Sequence, residues 1–86
     1  MRILYSKSAI KFLSKLDQKS VTRIREAIDG LTHNPPDGDI KPMQGFSDGR
    51  KRLRVGAWRV IYRVDRDGMV EVLFIIDIVN RGDIYK

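Results

Sequence analysis

The sequence predicts an α+β fold in a single domain spanning residues 1–86, with two N-terminal helices in a hairpin packed on one face of a mainly antiparallel four-stranded sheet, in the order β-α-α-β-β-β. Three observations predict it. Apolar residues recur at helical spacing twice before residue 33, period-2 alternation dominates after residue 49, and the segment between them holds all three prolines.

Arg2 to Tyr5, RILY, alternates and reads as a first strand. Ser6 is placed to cap a helix in which Ala9, Ile10, Phe12, Leu13 and Leu16 form one apolar face, ending near Leu16. Asp17 is placed to cap a second through its side-chain oxygen. There Val21, Ile24, Ile28 and Leu31 share a face, with Ala27 filling in. Pro35-Pro36 ends that helix, because proline lacks the N–H and drives its predecessor out of the helical region. Residues 33–49 then read as loop, pinned to the core by Ile40, Met43 and Phe46.

Arg50 to Tyr62, RKRLRVGAWRVIY, reads as a hairpin closed by Gly56-Ala57. A two-residue loop sets Val55 opposite Trp58, Arg54 opposite Arg59, Leu53 opposite Val60 and Arg50 opposite Arg63. Leu53, Val55, Trp58 and Val60 then meet the helices, and Arg50, Arg52, Arg54, Arg59 and Arg63 share the open face. Asp65 to Gly68 is a turn. Met69 to Asp77, nearly continuous apolar sequence, is expected as the central strand covered on both faces, and Asn80 to Lys86 as a loop or short edge segment.

Charge gives the first functional indication. Residues 50–66 carry seven basic side chains against one acid, Asp65, and so hold the whole net charge of +6; the remaining ten basic and ten acidic residues balance. Like charges crowded on one sheet face repel, so the cluster points to a polyanionic partner. Arginine dominates it, and the planar guanidinium fork suits phosphate and nucleobases better than an ammonium does. With no cysteine, the chain has neither a disulfide framework nor a thiolate metal site. The longest apolar run, Val72 to Ile76, is far short of the roughly 20 residues of a membrane span, and a cytoplasmic location is expected. Trp58 shares core parity with Val60, Tyr62 lies in core parity near its strand end, and His33 stands at a helix C-terminus, where a cation favours the dipole.

Taken together, the early helix SAIKFLSKL, the segment KPMQGFSDGRKRLRVGAWRVIYRV and the ending NRGDIYK resemble the RelE/ParE superfamily of bacterial toxins, and more closely its RelE branch. The resemblance implies a type II toxin-antitoxin component that enters the ribosomal A site and cuts mRNA there, without cofactor or metal, by attack of the ribose 2′-hydroxyl on the adjacent phosphate. It also implies a cognate antitoxin. By position, Arg59 would stabilise the phosphorane, Arg81 would support phosphate binding or leaving-group protonation, and Tyr85 would stack on or orient the nucleotide. Arg50, Arg52, Arg54 and Arg63 would bind RNA. Arg50 and Arg52 stand where RelE carries two lysines, one assigned to proton abstraction, and arginine is a poor general base. That leaves Lys51, a group outside the matched positions, or the ribosome as proton acceptor. Two other functions fit the same features: a ParE-like DNA gyrase inhibitor, and a basic nucleic-acid-binding module without catalysis.

Overall fold

The computed structural model describes residues 1–80. Its elements are β1 (Arg2–Tyr5), α1 (Lys7–Ser14), α2 (Gln18–Gly30), β2 (Asp39–Pro42), β3 (Lys51–Val55), β4 (Trp58–Asp67) and β5 (Val70–Asn80). Five strands form one sheet in the order β1-β5-β4-β3-β2, with β1 parallel to β5 and every other pair antiparallel. The expected four-stranded sheet thus has a fifth member, β2, inside the stretch expected as loop. Only Ile40 of β2 turns to the core while Asp39 and Lys41 face away, and Pro42 ends the strand at the sheet edge, where no ladder partner needs its missing N–H.

Helix α1 begins where the sequence indicates. The Ser6 hydroxyl accepts from the Ala9 N–H at 3.0 Å and itself donates to the Ile76 carbonyl at 2.6 Å, while the Ser6 N–H donates to the Ile75 carbonyl at 2.9 Å. One residue therefore caps α1 and ties it to β5. Asp17 takes the extended backbone of an N-cap on α2, but its side chain makes no capping hydrogen bond. Helix α2 contributes Ile24 and Ile28, both fully buried, to a core with Leu53, Val60, Leu73 and Ile75. Among the described residues, no helix is long and apolar enough to cross a membrane.

The β3–β4 hairpin has the expected register: Val55 pairs with Trp58, Arg54 with Arg59 and Leu53 with Val60. Gly56 has a φ of +56°, and Ala57 has no positive φ, the pattern of a two-residue type II′ loop. A Cβ at Gly56 would also meet the Arg23 guanidinium at 2.9 Å. Strand β4 is central, and β5, expected at the centre, lies second from the edge. Met69 is 95% exposed at the turn between them.

Strand β5 is bulged. Ile61 pairs with Asp77 but the next residue, Tyr62, pairs with Ile75, so Ile76 is extra. Leu73 and Ile75 face the helices; simple alternation would send Asp77 after them. The bulge instead turns Asp77 to the open face and returns Ile78 to the core. The Ile76 carbonyl that the bulge displaces is the acceptor of the Ser6 hydroxyl.

Candidate functional site

Alternation along β3 and β4 brings Arg52, Arg54, Arg59, Ile61 and Arg63 to the face away from the helices. Arg54 and Arg59 are directly opposite, a like-charge pair that costs the sheet stability when nothing anionic lies between them. Arg52 is opposite Ile61, which is 1% exposed although it belongs to no part of the helix-side core. Two guanidinium nitrogens on this face, Arg52 Nη1 and Arg59 Nε, are buried with no hydrogen-bond partner among the described residues. The carboxylate nearest Arg52 Nη1, Asp39 Oδ1, is 3.8 Å away, close enough for attraction and too far for a hydrogen bond. A buried donor without an acceptor is expensive to maintain.

The other end of the face is already neutralised. Asp48, in the loop between β2 and β3, accepts from Arg50 Nη2 at 2.8 Å, from Arg50 Nε at 3.0 Å and from Arg63 Nη1 at 3.2 Å. Hydrogen bonding from Arg50, with Arg63 adding to it, holds the Asp48 carboxyl well below the usual carboxylate range. Arg63 Nε also donates to Asp65 at 2.9 Å, and that bond raises the Arg63 pKa. Phe46, expected in the core, instead lies under Arg50, whose guanidinium carbon is 4.1 Å from the ring centroid. Ile40 does pack on the core, and Met43 is half-buried.

Lys51 pairs with Tyr62 and shares the parity of Leu53 and Val55, so the strand places it on the opposite face from Arg59. Arg81 and Tyr85 lie outside the described residues. Trp58 packs against the core, with the Arg23 guanidinium carbon 6.0 Å from its ring centroid. Tyr62 is buried in the core, and burial pushes its hydroxyl pKa up. His33 lies two residues beyond the C-cap of α2, Leu31, and its Nδ1 is 2.5 Å from Asp37 Oδ2, so a carboxylate rather than the helix end engages its side chain.

Two residues of this face escaped the sequence reading. Asp77 is brought beside Ile61, one diagonal step from Arg59, by the bulge; its Oδ1 accepts from the Ile78 N–H at 2.9 Å. Asp48 had a signal available, an acid two residues before Arg50. Among the described residues, no group of three or more acidic or histidine side chains is arranged to hold a metal ion. The face is therefore cationic, with a carboxylate at its side, which suits binding a phosphodiester and stabilising charge that develops on it.

Comparison with known proteins gives the same direction. Residues 3–85 match the family described as the ParE toxin of the type II toxin-antitoxin system parDE. A YoeB/ParE toxin from Agrobacterium tumefaciens superposes with a TM-score of 0.76 at 23% identity, covering 93% of this chain and 98% of that one. The archaeal RelE–RelB complex from Pyrococcus horikoshii gives 0.75 at 29% identity over 96% and 97%. The RelB–RelE complex from Methanococcus jannaschii gives 0.71 at 24% over 95% and 94%. A search of curated protein sequences gave no match. With the family matched over nearly the whole chain and the fold shared with these structures, the protein belongs to the RelE/ParE superfamily and is the toxin of a type II toxin-antitoxin system.

Proposed function

We propose that this toxin is a ribosome-dependent mRNA endoribonuclease, acting in the cytoplasm to stop translation and restrained by a cognate antitoxin. The observation that supports the reading most is the pair of buried nitrogens with no hydrogen-bond partner among the described residues, Arg52 Nη1 and Arg59 Nε, flanking exposed Arg54 on one sheet face. Three guanidinium groups on one sheet face suit a phosphodiester, whose oxygens each accept from a guanidinium edge. In the reaction the ribose 2′-oxygen bonds to phosphorus as its proton leaves, and the P–O5′ bond breaks as the 5′-oxygen gains a proton, leaving a 2′,3′-cyclic phosphate. Arg59 meets the charge of the phosphorane, and Arg52 and Arg54 hold the flanking phosphate oxygens. By the family resemblance, Arg81 supports the leaving group and Tyr85 orients the nucleotide. Asp77, diagonal to Arg59, replaces Lys51 as the proton acceptor, because it shares the arginine face. The two archaeal relatives, solved with RelB, support an antitoxin that binds this chain as RelB binds RelE.

The family description favours one alternative, a ParE-like poison of DNA gyrase. Mapping mRNA 5′ ends after induced expression separates the two. Cuts within translated codons, lost in Arg59→Ala, support the nuclease; intact transcripts with double-strand DNA breaks support the gyrase poison. Intact transcripts and intact DNA leave only a binding module.

A further inference from the structure

The five hydrogen bonds that Asp48 accepts are an unusual investment for one surface carboxylate. Its Oδ1 takes the Arg50 backbone N–H at 3.2 Å and Arg50 Nε at 3.0 Å; its Oδ2 takes Arg50 Nε at 3.2 Å, Arg50 Nη2 at 2.8 Å and Arg63 Nη1 at 3.2 Å. The remaining recognition surface of these two guanidiniums is also engaged. Arg50 lies over Phe46, Arg63 has its charged carbon 5.3 Å from the Phe74 ring centroid, and Arg63 Nε is bound to Asp65. Edge-on carboxylate and face-on phenyl ring are the two contacts by which arginine reads a phosphate and a base. At Arg50 and Arg63 the protein supplies both. Arg54 and Arg59 have no carboxylate partner among the described residues, and Asp39 stays 3.8 Å from Arg52.

We infer that Asp48 is a built-in counter-anion that withdraws Arg50 and Arg63 from the binding surface and confines a phosphodiester chain to the end of the face formed by Arg52, Arg54 and Arg59. The inference rests on the reading of that face as a nucleic-acid interface, and it assigns Asp48 a specificity role: it limits how many phosphates the sheet engages. Without the carboxylate, the positive charge of Arg50 and Arg63 adds to the cationic track across β3 and β4, Arg63 keeping its bond to Asp65, and the chain of phosphates gains one or two contacts. Asp48 stays charged throughout the neutral and mildly acid range, so the restriction is constant rather than a pH switch.

Asp48→Asn tests this, since the amide keeps an acceptor oxygen and removes the charge. Glu26→Gln, on exposed α2, changes the net charge equally away from the sheet's open face. Binding of each full-length variant to a short single-stranded RNA and, in parallel, to heparin is measured over a series of KCl concentrations, with circular dichroism as the check of folding. Each phosphate contact on a single strand contributes about 0.7 to the slope of log K against log salt, so Asp48→Asn, adding one or two contacts, is expected to steepen the slope by about 0.7–1.4. Glu26→Gln is expected to leave it unchanged. An Asp48→Asn slope equal to wild type, or an equal change in Glu26→Gln, overturns the inference while leaving the RNA reading intact. If heparin binds and RNA does not, the RNA reading fails and the heparin slopes decide the role of Asp48 by the same comparison. Binding of neither overturns both.

Discussion

The Ser6 hydroxyl donates to the Ile76 carbonyl at 2.6 Å, joining the cap of α1 to the extra residue of the β5 bulge. The bulge sets which face Asp77 occupies, so a serine on the helical side of the molecule supports the composition of the open face. Ser6→Ala removes the acceptor for the Ala9 N–H and leaves the Ile76 carbonyl without its hydroxyl donor. A loss of about 1–2 kcal/mol in urea unfolding is expected. RNA cleavage should fall further than the folded fraction does, because the bulge is loosened in molecules that remain folded.

Asp77→Asn separates proton transfer from binding. The amide oxygen still accepts from the Ile78 N–H, so the fold and RNA affinity are expected to hold. Single-turnover cleavage on programmed ribosomes should drop by about 10²–10⁴, the usual weight of a positioned general base. A cleavage rate equal to wild type would remove Asp77 from proton transfer.

Acid stability reports on Asp48. Because Arg50 depresses its folded pKa, Asp48 contributes stability that is complete above the unfolded carboxylate value of about 3.9 and is lost as pH falls through the lower folded value. The difference in urea midpoint between wild type and Asp48→Asn should therefore be constant from neutral pH down to about 4 and shrink below it. A difference that closes above pH 5 would contradict this (about one unit above the unfolded value).

Arg59→Ala should divide function from stability. Arg59 opposes Arg54 and carries a buried nitrogen with no partner among the described residues, so its removal relieves repulsion and an unmet donor. The melting temperature is expected to stay level or rise by a few degrees, on the order of 1 kcal/mol. Activity should be lost nonetheless. A melting temperature that falls by several degrees would mean that Arg59 holds the sheet together.

The hairpin at Gly56-Ala57 was legible in the sequence because a two-residue loop allows one register and the parity of Leu53, Val55 and Val60 selects the buried face. Ser6 was legible as a cap from its place before the apolar face of α1. Strand β2 was not, since one apolar residue among Asp39–Pro42 gives no alternation to recognise, and its pairing depends on β3. The face of Asp77 was equally hidden. Counting alternate residues from Leu73 and Ile75 points it into the core, and only the bulge, held by a residue 70 positions away, reverses that. Charge density identified the arginine cluster but not its division. Whether an arginine binds a partner or a carboxylate of its own chain depends on loop geometry, and the loop bearing Asp48 folds back onto Arg50 and Arg63.

The most direct test of the central claim, that Arg52, Arg54 and Arg59 of the open face act on an RNA phosphate, is cleavage of a defined mRNA on purified translating ribosomes by wild type, Arg59→Ala and Arg59→Lys. Wild type is expected to cut within the A-site codon and leave a 2′,3′-cyclic phosphate. Arg59→Ala should be slower by about 10²–10³, with Arg59→Lys recovering part of the rate through its remaining charge. No cleavage by wild type, or equal rates for all three proteins, would contradict it.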